Sequence, residues 1–206
     1  MSNINKSFSK GKAFIPFITC GQISLDITEK TIYEMEKNGA NLIELGIPFS
    51  DPVAEGSIIQ SANNRALKNG TTTDKIFSML ESVRKNTDIP MVFMTYANIV
   101  FSYGIERFAE KSKKLKIDGI ILPDVPYEEK KEFDSIFKKH NIDFISLIAP
   151  TSEERISAIA KDSNGFIYCV SSLGVTGIRE NINTNIEKMV NLVKSVNNIP
   201  VAVGFG

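Results

Sequence analysis

In 206 residues there is a single histidine, His140, and there are only two cysteines, Cys20 and Cys169. With no second histidine and no clustered thiols there is no case for a zinc site, and a histidine placed at a helix end among lysines is a poor candidate for a Ser–His–Asp arrangement. His140 stands at a helix end among lysines and reads as a solvated residue. Two cysteines make no disulfide framework, and each lies in or beside an expected strand, where a reduced cysteine acts as a small buried hydrophobe. Charge of one sign is not in excess either: 24 Lys and Arg balance 24 Asp and Glu, so no global field favours nucleic acid or an anionic membrane. No apolar run reaches the about 18 residues of a spanning helix, and the start, MSNINKSFSKGKAF, is polar, which points to a cytoplasmic protein. Lysine is missing from the expected strands, so a Schiff-base lysine is not indicated. There is no low-complexity segment and no sign of a second domain. At 42% hydrophobic, the chain can bury one full core.

What is present is a regular alternation of short apolar runs with amphipathic, charge-bearing segments, the pattern of repeated βα units around a parallel sheet. The runs are Phe14–Thr19, Leu42–Leu45, Met91–Tyr96, Gly119–Asp124, Phe144–Ala149, Phe166–Val170 and Pro200–Phe205. Helices are expected between them: one capped by Ser24 and running to Gly39, then Ile58–Lys68, Thr73–Lys85 behind a threonine cluster, Ile105–Leu115, Tyr127–Lys139, Glu153–Lys161 and, capped by Thr184, Asn185–Val196. The lysine-rich last turn of Ile105–Leu115 suits the negative end of the helix dipole. Seven strands with six crossovers are one unit short of a TIM (β/α)₈ barrel, whose usual length is about 250 residues. Because natural sheets avoid bare edges, the expectation is one barrel domain over residues 1–206, C-terminally incomplete, with the eighth βα unit missing from this sequence.

The stretch Asn41–Gly56, NLIELGIPFSDPVAEG, is the one the rest serves. A strand that is apolar on both faces belongs in a parallel sheet covered by helices, a setting hostile to charge, so Glu44 needs a reason to be there. By alternation, Leu42 and Glu44 share one face while Ile43 and Leu45 pack on the other. In a barrel Glu44 then points into the lumen near the carboxyl end, where barrel enzymes keep their chemistry. Glu55 follows in the loop after the strand. Two carboxylates in different surroundings can divide acid and electrostatic tasks. Asp51, between Ser50 and Pro52, is suited to an Asx-type bond holding the loop.

Two glycine-bearing turns, Leu173–Gly177 with Thr176 and Gly177, and Gly204–Gly206, let backbone N–H groups approach an anion and suggest a phosphorylated substrate. Asp124 could bind substrate or cap a turn, and Asn98 could brace a loop. Tyr96 and Tyr168, at strand ends, either line a pocket or fill the top of the core; Tyr168 leads straight into the phosphate-like loop.

These segments, ELGIPFSDPVAEG, FMTYAN, LPDVP, GVTG and VGFG, resemble in order and spacing the α subunit of tryptophan synthase from about Phe14 onward. The resemblance implies a barrel lyase that cleaves indole-3-glycerol phosphate to indole and glyceraldehyde 3-phosphate. It implies no cofactor on this chain and a β subunit, in an α2β2 assembly, that receives the indole and holds pyridoxal phosphate. It also implies that Glu44 protonates indole C3 and that Glu55 stands where the family has an aspartate facing the indole N–H. Tyr168 would lie close to that glutamate, Phe17 beside the indole ring, and Gly177 and Gly206 at phosphate-binding backbone positions. Glutamate in place of aspartate adds one methylene, so the carboxylate must fold back by about an ångström, a displacement that matters to rate.

Other readings are a non-catalytic subunit that only binds a β chain, and a different phosphosugar barrel, which would require a lumen lysine. The Asp51–Glu55 and Leu173–Arg179 loops are expected to close over substrate, and the active-end face is expected to dock the partner.

Overall fold

The computed structural model describes residues 3–170 and 185–204. The expected Thr184 cap and the Leu173–Arg179 loop lie outside the described residues. Strands β1 (Phe17–Thr19), β2 (Ile43–Gly46), β3 (Met91–Met94), β4 (Gly119–Ile121) and β5 (Asp143–Phe144) form one parallel sheet in sequence order; β6 (Ser146–Ile148), β7 (Ile167–Val170) and β8 (Val201–Gly204) form a second. Between them lie α2 (Leu25–Lys37), α3 (Ser57–Lys68), α4 (Thr73–Val83), α5 (Ala97–Tyr103), α6 (Ile105–Lys114), α7 (Lys131–Lys139), α8 (Ile156–Lys161) and α9 (Asn185–Val196).

The expected fifth strand is a single run of chain that changes partner. Its first half pairs with β4, its second with β7, and Ile145 alone separates them, its N–H still donating to Ile120 O at 2.9 Å. Past that bond β4 has ended, and Pro123 has no N–H to offer. From Ser146 onward only β7 remains to pair with.

Alternation sorts the core into two layers. Leu42 lies with Val92, Ile121, Ile145 and Phe166 in an inner cluster to which Met94, Leu147, Tyr168 and Ala202 also pack. Ile43 and Leu45 belong to the outer layer under the helices. An inner cluster fed by β3, β4, β6, β7 and β8 is a lumen, and the strands wrap around it as in a barrel. The helix ends follow their caps: Ser24 Oγ accepts from Ile27 N–H at 3.1 Å and Thr72 Oγ1 from Lys75 N–H at 3.3 Å.

Several elements differ from the sequence expectation. A four-residue helix, α1 (Ile4–Ser7), closes the amino end of the lumen: Ile4 is fully buried in the inner cluster, and Asn3 N–H donates to Asp118 Oδ1 at 2.7 Å. Four residues have no helical stability of their own, so only this burial selects the turn. Ile4→Ala should lower stability by about 2–4 kcal/mol, read as a drop in the denaturation midpoint; an unchanged midpoint would show that α1 is not a structural plug. α5 was not expected, and Gly104, at φ 87°, separates it from α6. α7 starts at Lys131 rather than Tyr127, and residues Pro150–Arg155 form a 3₁₀ turn before α8. His140 is not solvated as expected. It is tucked against α6, its side chain 13% exposed and its Nε2 2.7 Å from Glu106 Oε1.

Candidate active site

Because all described strands are parallel, the segments that follow them emerge at one end. Glu44 sits near that end of β2, in register with Phe17 on β1 and Val92 on β3, and is only 4% exposed. Burial pushes its carboxyl pKa from the ordinary 4.5 up to about 8, since an apolar wall solvates a carboxylate poorly. At neutral pH the group is therefore mostly a carboxylic acid with a proton to give.

Tyr168 belongs to the same lumen. Its phenol is held well above its usual range by burial and, secondarily, by the Glu44 carboxylate, which places the two side chains within electrostatic reach. A glycine makes room for each aromatic wall. A Cβ at Gly204 would lie 2.1 Å from Tyr168 Oη and 2.3 Å from Cζ, and one at Gly46 would lie 2.6 Å from Phe17 Cζ. The ring of Tyr168 thus lies across β8 where a side chain would stand, and Phe17 folds over β2 next to Glu44. In the sequence Gly46 marks only the break that ends the apolar run Leu42–Leu45; its place two residues after Glu44, on the same face by alternation, was the available signal for a role beside Phe17.

The second carboxylate is held from the segment between β3 and α5. Tyr96 Oη donates to Glu55 Oε2 and accepts from Ala54 N–H at 3.0 Å, while its ring packs on Phe49 at 5.1 Å. Glu55 is pushed up by its partial burial and by Asp124, and drawn back down by the Tyr96 hydrogen bond. Gln60 Nε2 donates to Glu55 O at 2.9 Å. Asp124 accepts from Ala97 N–H with both oxygens at 3.1 Å, at the amino end of α5.

Asp51 accepts from Ser50 Oγ at 2.5 Å rather than making an Asx bond to the backbone, and Asn98 accepts from Ser102 Oγ within α5 rather than bracing a loop. Thr176, Gly177 and Gly206 lie outside the described residues. Glu44, Tyr168, Phe17 and Gly204 are brought together around the lumen, while Glu55, Tyr96 and Asp124 form a second group at its mouth.

Among the described residues no three His, Cys, Asp or Glu side chains converge as metal ligands. Cys20 and Cys169 are buried and free, their thiols pushed up to about 12 and about 11 by burial, so both stay uncharged. One lysine is buried, which the sequence did not signal: Lys130 Nζ is held by Asp162 Oδ2 at 3.0 Å and Asp162 O at 2.8 Å, away from the inner cluster. No helix among the described residues is long and apolar enough to cross a membrane.

Comparison with known proteins gives a consistent result. The family described as "Tryptophan synthase alpha chain" matches residues 3–206. The chain is 46% identical over 199 residues to the tryptophan synthase alpha chain of Clostridium acetobutylicum, covering 97% of this chain and 76% of that one. It is 47% identical over 195 residues to that of Caldanaerobacter subterraneus subsp. tengcongensis, covering 95% and 74%. Among solved structures, a Mycobacterium tuberculosis tryptophan synthase chain superposes with a TM-score of 0.91 at 31% identity, covering 100% of this chain and 80% of that one. A chain from the Pyrococcus furiosus tryptophan synthase α2β2 complex gives 0.86 at 36% identity, covering 94% and 78%.

Proposed function

The chain belongs to the tryptophan synthase alpha chain family, and from that premise we propose how its side chains divide the family's reaction. That reaction is the cleavage of indole-3-glycerol phosphate to indole and glyceraldehyde 3-phosphate, in tryptophan biosynthesis, by a TIM-barrel lyase. It needs no cofactor on this chain; pyridoxal phosphate belongs to the β chain, the partner in the α2β2 assembly. We read the whole chain as one barrel domain working in the cytoplasm.

The observation that carries the reading is the buried Glu44 carboxyl, held near neutrality of charge at the lumen mouth beside Tyr168. Retro-aldol cleavage cannot start from the aromatic ring, because the electrons of the breaking bond need a sink. Protonation of indole C3 by Glu44 supplies one, leaving positive charge at the ring nitrogen. Glu55, ionised and fixed by Tyr96, faces that N–H and offsets the charge. As the bond from C3 to the glycerol carbon breaks, its electrons return to the ring and restore indole. The hydroxyl on that carbon loses its proton to the Glu44 carboxylate and becomes the aldehyde, so no proton is lost or gained overall. Phe17 and Tyr168 form apolar walls for the ring. Thr176, Gly177, Gly204 and Gly206 are assigned to the phosphate end on the family pattern.

The direct test is indole release from indole-3-glycerol phosphate by the full chain, alone in single turnover and with the β partner in steady state. Indole in both supports the reading, and its absence in both would overturn it. Tyr96→Phe keeps the ring packed on Phe49 but releases Glu55 and Ala54 N–H. The longer glutamate side chain makes that tether the device that sets its reach. A fall of about 10–100-fold in kcat/KM is expected, with the melting midpoint nearly unchanged. An unaltered kcat/KM would mean that Tyr96 does not position Glu55.

A further inference from the structure

Beyond the last bond between β4 and β5, the chain after β4 and the strand β6 part, leaving a cavity of about 250 Å³ between them. Apolar side chains dominate its wall, among them Val125, Phe144, Ile148 and Ile159. Alternation turns Phe144, Ser146 and Ile148 of this wall toward the helices, while Leu147 joins it from the lumen side; Glu44, Phe17 and Tyr168 of the proposed cleavage site are not among its lining residues.

Four residues bring polar side-chain atoms to the wall, and of these the Tyr127 hydroxyl donates to Ala158 O at 3.4 Å. Lys130 is neutralised by Asp162 at 3.0 Å and Arg155 by Glu128 at 2.8 Å, so each cation already has its anion. Ser146 differs. It is 5% exposed, and its Oγ has no hydrogen-bond partner. An orphaned buried hydroxyl costs free energy, and a hydroxyl can rotate to suit a partner that arrives. An apolar wall with paired charges disfavours an ion, while a single unanswered hydroxyl favours one matching group.

We propose that this wedge is a binding site for a small neutral molecule, one aromatic ring in size and carrying one hydrogen-bonding group, anchored on Ser146. Apolar cavities of about 150 Å³ already accommodate benzene, so the space is sufficient for one substituted ring. The site does not depend on the lyase reading, and it exists because the strand changes partner at Ile145.

The test uses p-cresol and toluene, which differ by one hydroxyl, added to the full chain labelled at the isoleucine methyl groups. Both probes are expected to shift the methyl signals of Ile148 and Ile159 saturably, p-cresol binding about tenfold tighter, the worth of one good net hydrogen bond. Ser146→Ala should bring the two affinities together and leave toluene unaffected. Removing an unpartnered hydroxyl should not unfold the protein, and the unperturbed methyl spectrum of the variant verifies that. The proposal fails if neither probe shifts these methyls saturably, if the shifts centre on Ile121 and Ile145 of the lumen, or if the preference for p-cresol survives in Ser146→Ala.

Discussion

Glu44→Gln is expected to lower kcat for indole release by about 10²–10⁴-fold, the usual worth of a positioned proton donor, with little change in substrate affinity. Glutamine keeps the shape and the hydrogen-bonding capacity but has no proton to give. The wild-type pH profile should match: kcat should decline as pH rises through about 8 and Glu44 loses its proton, and on the acid side it should fall as Glu55, whose carboxyl burial holds above its ordinary range, takes one up. The same substitution should stabilise the fold at high pH. The folded carboxyl titrates near 8 and the unfolded one near 4.5, so between those values the native state holds a proton that the unfolded state has released. Stability therefore falls as pH rises through that window. Glutamine has nothing to ionise, and Glu44→Gln should be more stable than wild type by a few kcal/mol at about pH 9 and little changed at about pH 4. A variant that loses activity and gains alkaline stability would link both to one buried carboxyl. Wild-type turnover in Glu44→Gln would remove the proposed acid.

The second large effect is expected at Gly204. An added Cβ would stand 2.1 Å, 2.3 Å and 2.4 Å from Oη, Cζ and Cε1 of Tyr168. β8 is held to β7 through Val170 and Gly204 in register, so the ring has to leave rather than the strand. Gly204→Ala is expected to cost about 1–3 kcal/mol through overpacking and to displace Tyr168 from Glu44, reducing kcat by roughly a hundredfold. Thermal melting and steady-state indole release measure the two parts. Tyr168→Phe removes only the hydroxyl and should be far milder. If Gly204→Ala melts and turns over like wild type, Tyr168 is not seated as described, and the phosphate end becomes the sole reason for glycine there.

Several features were readable before any coordinates. Leu42 and Glu44 on one face with Ile43 and Leu45 on the other follows from strand alternation, and the two cores divide along that line. Ser24 and Thr72 cap their helices because a side-chain oxygen at that position meets a free N–H whatever the rest of the chain does. Asp124 illustrates the limit. Its two readings were equal in sequence because α5, whose first N–H it accepts from, had no periodic signal across its seven residues.

His140 failed for a related reason: lysines nearby in sequence say nothing of Glu106, which approaches from another helix. The Tyr96–Glu55 bond joins residues 41 apart, and the Lys130–Asp162 pair joins residues 32 apart. No local pattern encodes either.

By itself, then, the sequence determined the repeated strand-and-helix rhythm, the inward direction of Glu44 and the family to which the motifs point. These depend on periodicity and on residue type, both of which are properties of the chain before it folds. Tertiary structure decided the rest: that a four-residue N-terminal segment becomes a plug, that the fifth strand is shared between two partners, and that glycines 46 and 204 yield their space to Phe17 and Tyr168. Each of those depends on which groups from distant parts of the chain exclude water from one another, and only the folded packing makes that choice.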